Sequence, residues 1–152
     1  MPFAGRIAEL LRPYQPQVLC GPLIGGALLG QLVALTAGLS LVYTERTAWS
    51  PGALWSARYE LAVPFRNLVR GQRIAIVDDV INAGSALRAT VAAVQQARGE
   101  VVAAAALLRL GDTVLPYAQE QALALHTLAV EPGNTWPPDR CPSCRQGVPL
   151  GT

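Results

Sequence analysis

Apolar positions recur along the chain with two periods, and the change from one to the other marks the elements. Ala4, Ile7, Leu10 and Leu11 stand at helical spacing until Pro13 ends the run. "QVLCG" (17–21) reads as a buried strand that breaks at "GPLIGG". "ALLGQLVALTAG" then carries Leu28, Leu29, Leu32, Val33 and Leu35 as a helix closed by Gly38, and "LSLVYT" is the next strand. Strand, glycine-rich turn, helix and strand form the unit that builds parallel sheets with right-handed crossovers.

Residues 45–57, "ERTAWSPGALWSA", show no period and contain Pro51 and Gly52, so they read as a long loop, of a length that in compact domains is functional or disordered. "ARYELAV" alternates Ala57, Tyr59, Leu61 and Val63 against Arg58 and Glu60, which predicts a strand with one wet face in a hairpin or flap, bounded by Pro64. "RIAIVD" (73–78) is the most strand-like segment. "SALRATVAAVQQARG" follows as a helix with Ser85 near its cap, Leu87, Val91 and Val94 on one face, and Gly99 as its stop. "EVVAAAALLRL" and "ALALHTLAV" are the last strands, and five prolines make residues 131–152 an extended tail. No repeat or second domain is visible, so residues 1–152 read as a single α/β domain.

Composition narrows the function classes. Hydrophobic residues make up 51% of the chain, but Gly, Pro, Arg or Glu interrupt them before any run reaches the roughly 18 residues that span a bilayer. "MPFAGRIAELL" lacks the apolar core of a signal peptide, and the reading is a soluble cytoplasmic protein with no membrane partner. A net charge of +2 on scattered arginines gives no nucleic-acid footprint. All twelve basic residues are arginine, so any role for a lysine falls to arginine. Cys20, Cys141 and Cys144 are an odd set without a secretory signal, which argues against a disulfide framework. "CPSC" is half of a zinc motif, yet only Cys20 and His126 remain to complete about four ligands, and a reduced pair in the tail is the simpler reading.

The densest chemistry lies in "RIAIVDDVINAGSALRAT" (73–90), where an apolar strand runs into Asp78 and Asp79 ahead of a small-residue turn. In open parallel sheets, ligands sit beyond the carboxyl ends of the strands. Adjacent strand residues point to opposite faces, and buried carboxylates need donors. The backbone N–H groups of Ala83, Gly84, Ser85 and Ala86, with the side chains of Asn82 and Ser85, can cradle a phosphate at the start of the helix. Carboxylates repel phosphate, so they suit neutral hydroxyls or a cation. A ribose 5-phosphate meets both demands. The plain alternative is solvated acids ahead of a helix. A phospho-acceptor receiver would need a lysine, which the chain lacks, and a second acidic site for which only Asp112, in a loop, is at hand.

"IAIVDDVINAGSAL" resembles the phosphoribosyl-pyrophosphate (PRPP) signature of type I phosphoribosyltransferases and is most similar to that of orotate phosphoribosyltransferases. The resemblance covers residues 15–150 and implies a Rossmann-like fold: a central parallel sheet flanked by helices, with a flexible loop and flap. It implies that Asp78 and Asp79 are catalytic and hold the ribose hydroxyls, and that Asn82 (where threonine is usual), Ala83, Gly84, Ser85 and Ala86 hold the 5-phosphate. "GPLIGG" resembles the pyrophosphate loop, giving that role to Gly21, Pro22 and Leu23, with a strained peptide near Gly21 and Pro22. "YTERTAWSPGALWSARYEL" matches the loop and flap that close over PRPP, with Arg46 and then Arg58 in place of the usual cation on the pyrophosphate.

Arg109 stands where orotate enzymes carry a base-binding arginine, although Leu108 replaces its acidic neighbour, and "CPSCRQGVPL" resembles the tail of one bacterial branch. The implied reaction moves the phosphoribosyl group of PRPP to orotate, with Mg2+ reaching the site through PRPP near Asp78 and Asp79, in a homodimer. Orotate enzymes usually carry a further N-terminal segment that hoods the base, whereas this sequence begins just before the first core helix. Other nucleobases, or an inactive PRPP- or nucleotide-sensing relative, therefore stand as alternatives.

Overall fold

The computed structural model describes residues 2–48, 58–133, 136 and 139–148. Its elements follow the order α1 (Pro2–Leu11), β1 (Val18–Pro22), α2 (Gly25–Ala37), β2 (Ser40–Ala48), β3 (Arg58–Leu61), α3 (Val63–Val69), β4 (Arg73–Ile81), α4 (Ser85–Gln96), β5 (Glu100–Leu110), α5 (Leu115–Glu120), β6 (Ala124–Glu131) and α6 (Pro142–Arg145). Six strands form one sheet in the order β3-β2-β1-β4-β5-β6. All neighbours are parallel except β2 and β3, which form the antiparallel hairpin expected of the flap.

Strand alternation sorts the core into two layers. Leu19, Ala75, Val77, Ala103 and Ala105 face α1 and α2, where Ala4, Ile7, Leu11, Leu29 and Val33 close the layer. On the opposite face Cys20, Val42, Ile74 and Ile76 meet α3 and α4 through Val69, Val94, Leu87 and Val91, and Val114, which caps α5, joins the same layer. Alanines at 103–106 leave room for helices to sit close on both faces of β5.

Several boundaries differ from the sequence reading. The predicted loop at 45–57 begins as strand, because β2 continues to Ala48 once β3 supplies hydrogen-bonding partners from Glu45 to Ala48. The remainder of that loop, 49–57, lies outside the described residues. Pro64 does not merely end β3: it occupies the first turn of α3, where its missing N–H costs nothing. That helix, α5 and the single turn α6 were too short to show a period. β4 runs three residues past Asp78, because β5 pairs with it as far as Ile81 and Arg109. At the end of α4 the left-handed residue is Arg98, with φ 63°, whereas Gly99 is needed for packing: a Cβ there would lie 2.6 Å from Val69 Cγ1. Among the described residues, no helix is long and apolar enough to cross a membrane.

Candidate functional site at the strand switch point

The chain leaves β1 toward β2 on one side and leaves β4 toward β5 on the other, so the sheet reverses its winding between β1 and β4. β1 and β4 pair only from Val18 and Ile74 to Cys20 and Ile76. Beyond Ile76 the edge of β4 that faced β1 is no longer laddered to it, and a crevice opens there of the kind in which doubly wound sheets take ligands. Asp78 and Asp79 are the second and third residues past that point.

Strand alternation would send the two acids to opposite faces, but at the end of the β1 ladder both carboxyl groups come to lie under the start of α2. Asp78 is 6% exposed and lines a cleft of about 190 Å3 together with Val80, Ile81 and residues 82–87. The structure thus brings Asp78 together with Asn82, Ala83, Gly84, Ser85 and Ala86. Asp79 turns toward α2: a Cβ on Gly25 would fall 2.1 Å from Asp79 Oδ2. Gly26 fits equally tightly, for its Cβ would meet Asp78 Oδ1 and the Val77 carbonyl at 2.8 Å. The first turn of α2 therefore sits directly over both carboxyl groups, and its N-terminal dipole favours negative charge there.

Each carboxyl group accepts a local N–H. Asp79 N–H donates to Asp78 Oδ1 at 3.0 Å, and Val80 N–H donates to Asp79 Oδ1 at 2.9 Å. Burial, followed by the hydrogen bond and charge of Asp79, nevertheless pushes the Asp78 carboxyl up to about 8. Asp78 therefore holds its proton more tightly than an exposed carboxyl group does.

The turn after β4 is shaped by Gly84. Its φ of 81° caps α4, its carbonyl accepts from Arg88 N–H at 2.9 Å, and a Cβ would lie 2.6 Å from Val114 Cγ2. Ser85 is the first helical residue rather than the cap, so its N–H belongs to the unbonded first turn.

In the β1–α2 turn, Leu23 N–H is already bonded to the Thr44 carbonyl at 2.9 Å, and Pro22 has no N–H. Helix geometry leaves the N–H groups of the first turn of α2, Gly25 to Ala27, without acceptors in the helix. The cis peptide of this turn lies between Leu23 and Ile24, two residues beyond the expected place near Gly21 and Pro22. Gly21 packs against the Gly26 carbonyl, which a Cβ would approach to 2.5 Å.

The predicted cations are less well gathered. Arg46 is exposed and pairs with Tyr59 across the hairpin. Arg58 lines a different cleft, with Tyr59, Glu60, Ala89, Ala92 and Gln96, and does not share the one that holds Asp78. Arg109 lies one strand over and three residues further out than Ala106, the partner of Asp78. Its guanidinium donates to the Gly111 carbonyl and to Asp112 Oδ1. It is thus already engaged by a carboxylate of its own chain.

The sequence reading took Gly25 and Gly26 only as part of the glycine-rich turn and passed over Thr44. The paired glycines were visible, but their contact with acids some fifty residues away depends on the fold. Thr44, in the middle of β2, bonds its Oγ1 to Thr90 Oγ1 of α4 at 2.9 Å, with both residues fully buried.

The family model of the phosphoribosyl transferase domain matches residues 3–121. The chain belongs to that family. The phosphoribosyltransferase relatives include an orotate phosphoribosyltransferase of Caldicellulosiruptor bescii, 31% identical over 146 residues that cover 95% of this chain and 69% of the relative. An adenine phosphoribosyltransferase of Desulfitobacterium hafniense is 34% identical over 112 residues, covering 69% of this chain and 65% of that protein. The first orotate relatives are spanned over only 63% to 71% of their own length. Among solved structures, orotate phosphoribosyltransferase from Mycobacterium tuberculosis H37Rv in complex with PRPP shares the fold, with a TM-score of 0.63, 20% identity, and coverage of 84% of this chain and 70% of that one.

Proposed function

We propose that this phosphoribosyltransferase binds PRPP in the crevice between β1 and β4 and transfers its phosphoribosyl group to a nucleobase, orotate being the first candidate. The observation that carries this reading is the single cleft shared by Asp78 and residues 82–86, with Asp79 beside it under the first turn of α2. The 5-phosphate is held by the N–H groups of Ala83 to Ala86 and by Asn82 and Ser85, where a helix start meets a turn without bulky side chains. The ribose hydroxyls lie against Asp78 and Asp79. The pyrophosphate meets the β1–α2 turn (Gly21, Pro22, Leu23), and its donors there are the N–H groups of Gly25 to Ala27, since that of Leu23 is bonded elsewhere. Arg46 and Arg58, on the hairpin, supply positive charge to it when the flap closes.

Two carboxylates at the mouth of the crevice are hard oxygen donors of the type that suits Mg2+ bound with the oxygens of PRPP. The ion, when bound, helps neutralise charge on the departing pyrophosphate. The chain's own residues fix the sugar so that its anomeric carbon faces the base, and cover it from water, which would otherwise hydrolyse the activated sugar.

Orotate is supported by the relatives matched over most of the chain, and Arg109 is the group suited to its carboxylate. The Arg109 contact with Asp112 favours a second reading, a base without a carboxylate, and the adenine relative supports it. A pyrophosphate-release assay with PRPP, Mg2+ and orotate, uracil, adenine or other purines separates the two. Turnover with orotate is expected; turnover with adenine alone selects the second reading. The double variant Asp78→Asn, Asp79→Asn is expected to lose PRPP binding. Unchanged PRPP binding by that variant would refute the assignment of the acids.

A further inference from the structure

Outside the crevice, the most reactive arrangement of side chains among the described residues is the turn "CPSC". Cys141 caps the one-turn helix α6, and its Sγ accepts the N–H of Cys144 at 3.4 Å, so the two thiols share a single turn. Cys144 is exposed and Cys141 partly so. Arg140 and Arg145 flank the pair in sequence and add positive charge. The third cysteine, Cys20, differs in kind: it is fully buried, and burial pushes its thiol up to about 12, which leaves it inert in the folded protein.

We propose that Cys141 and Cys144 form a thiol–disulfide exchange site for low-molecular-weight disulfides, with Cys141 attacking and Cys144 resolving. The geometry separates the roles. The Cys144 N–H, with that of Ser143, holds the Cys141 thiol below its ordinary value, while the hydrogen bond with Cys141 raises Cys144. The thiolate of Cys141 attacks one sulfur of the external disulfide, the S–S bond breaks, and the other half leaves as a thiolate with the electron pair. Cys144 then gives its proton to solvent and attacks the Cys141 sulfur, which expels the second thiol. The protein dithiol loses two electrons and two protons, and the external disulfide becomes two thiols. A zinc site is the competing use of such a pair, but zinc takes about four ligands. Among the described residues, no group of three or more His, Cys, Asp or Glu comes together.

The test uses the full chain with glutathione disulfide as the probe, followed by alkylation and mass spectrometry. Wild type is expected to lose two hydrogens and to yield a peptide linked between Cys141 and Cys144, with Cys20 alkylated only after denaturation. Cys144→Ser is expected to stop at one glutathione on Cys141. Cys141→Ser is expected to form its adduct on Cys144 more slowly than Cys144→Ser forms one on Cys141. The proposal is overturned if both thiols of wild type remain alkylatable, if Cys144 proves the faster, or if zinc chloride alone binds at one ion per two chains and blocks exchange.

Discussion

The hydroxyls of Thr44 and Thr90 lie 2.9 Å apart with no exposure to solvent, and join β2 to α4, the helix that follows the turn after β4. The Thr44 carbonyl meanwhile accepts Leu23 N–H from the β1–α2 turn. One residue therefore ties both proposed binding turns to a common support. Thr44→Val or Thr90→Val leaves the other hydroxyl buried without its partner, which costs about 1–3 kcal/mol. The double variant, with two apolar groups of similar shape, is expected to recover most of that loss. Urea denaturation of the four proteins measures the coupling, and additive losses would mean that the bond contributes nothing.

Gly25 marks the closest approach of the helix to the acids. Gly25→Ala sets a methyl group 2.1 Å from the present position of Asp79 Oδ2 and must displace that carboxylate, which is a side chain and can move. The protein is expected to fold while kcat/KM for PRPP falls on the order of tenfold to a hundredfold. Gly26→Ala meets the Val77 carbonyl as well as Asp78, so it is expected to lower the melting temperature too. Thermal melts beside steady-state kinetics distinguish the two effects.

Asp78 makes stability depend on pH. The folded protein keeps the proton of Asp78 up to about 8, whereas the unfolded chain releases it near the ordinary value of 3.8. Between these values the folded state binds the extra proton, so stability falls as pH rises, and the loss is complete above about 8. Asp78→Asn removes this slope. The variant is expected to gain on the order of 1–3 kcal/mol relative to wild type at pH 8, but little below pH 4. Denaturation at several pH values reads this directly.

The same proton bears on binding. Ribose hydroxyls donate more strongly to an ionised carboxylate than to the neutral acid, so PRPP binding near neutral pH is expected to release a proton from Asp78. Calorimetric titration in buffers of different ionisation enthalpy reports the number released, and Asp78→Asn should abolish it.

Asp112 holds the guanidinium that an acidic base would need. Because Asp112 is largely exposed, the contact is weak, and Asp112→Asn is expected to lower KM for orotate about fivefold while leaving KM for PRPP unchanged. A variant that instead loses orotate turnover would make Asp112 a support for Arg109 rather than its competitor.

Local pattern and local chemistry were enough to read much of this protein. The apolar strand "RIAIVD", the acids that end its apolar run, and the small turn from Asn82 to Ala86 are contiguous, and contiguous residues share a site whatever the rest of the chain does. The βαβ units and the hairpin followed from periods of 3.6 and 2 residues, which depend only on helix and strand geometry. Short helices such as α3 and α5 escaped because one or two turns give no period to count.

What tertiary structure decided is long-range. The switch point between β1 and β4 exists only once six strands are ordered in space, and it explains why Asp78 and Asp79 lie at a crevice although β4 runs on to Ile81. Packing set Gly25 against Asp79, bonded the Leu23 N–H to the Thr44 carbonyl and raised the Asp78 carboxyl. Each of these depends on burial or on contact between residues of different elements or turns, and hydrophobic period encodes only the face that is buried, not what waits on the other side.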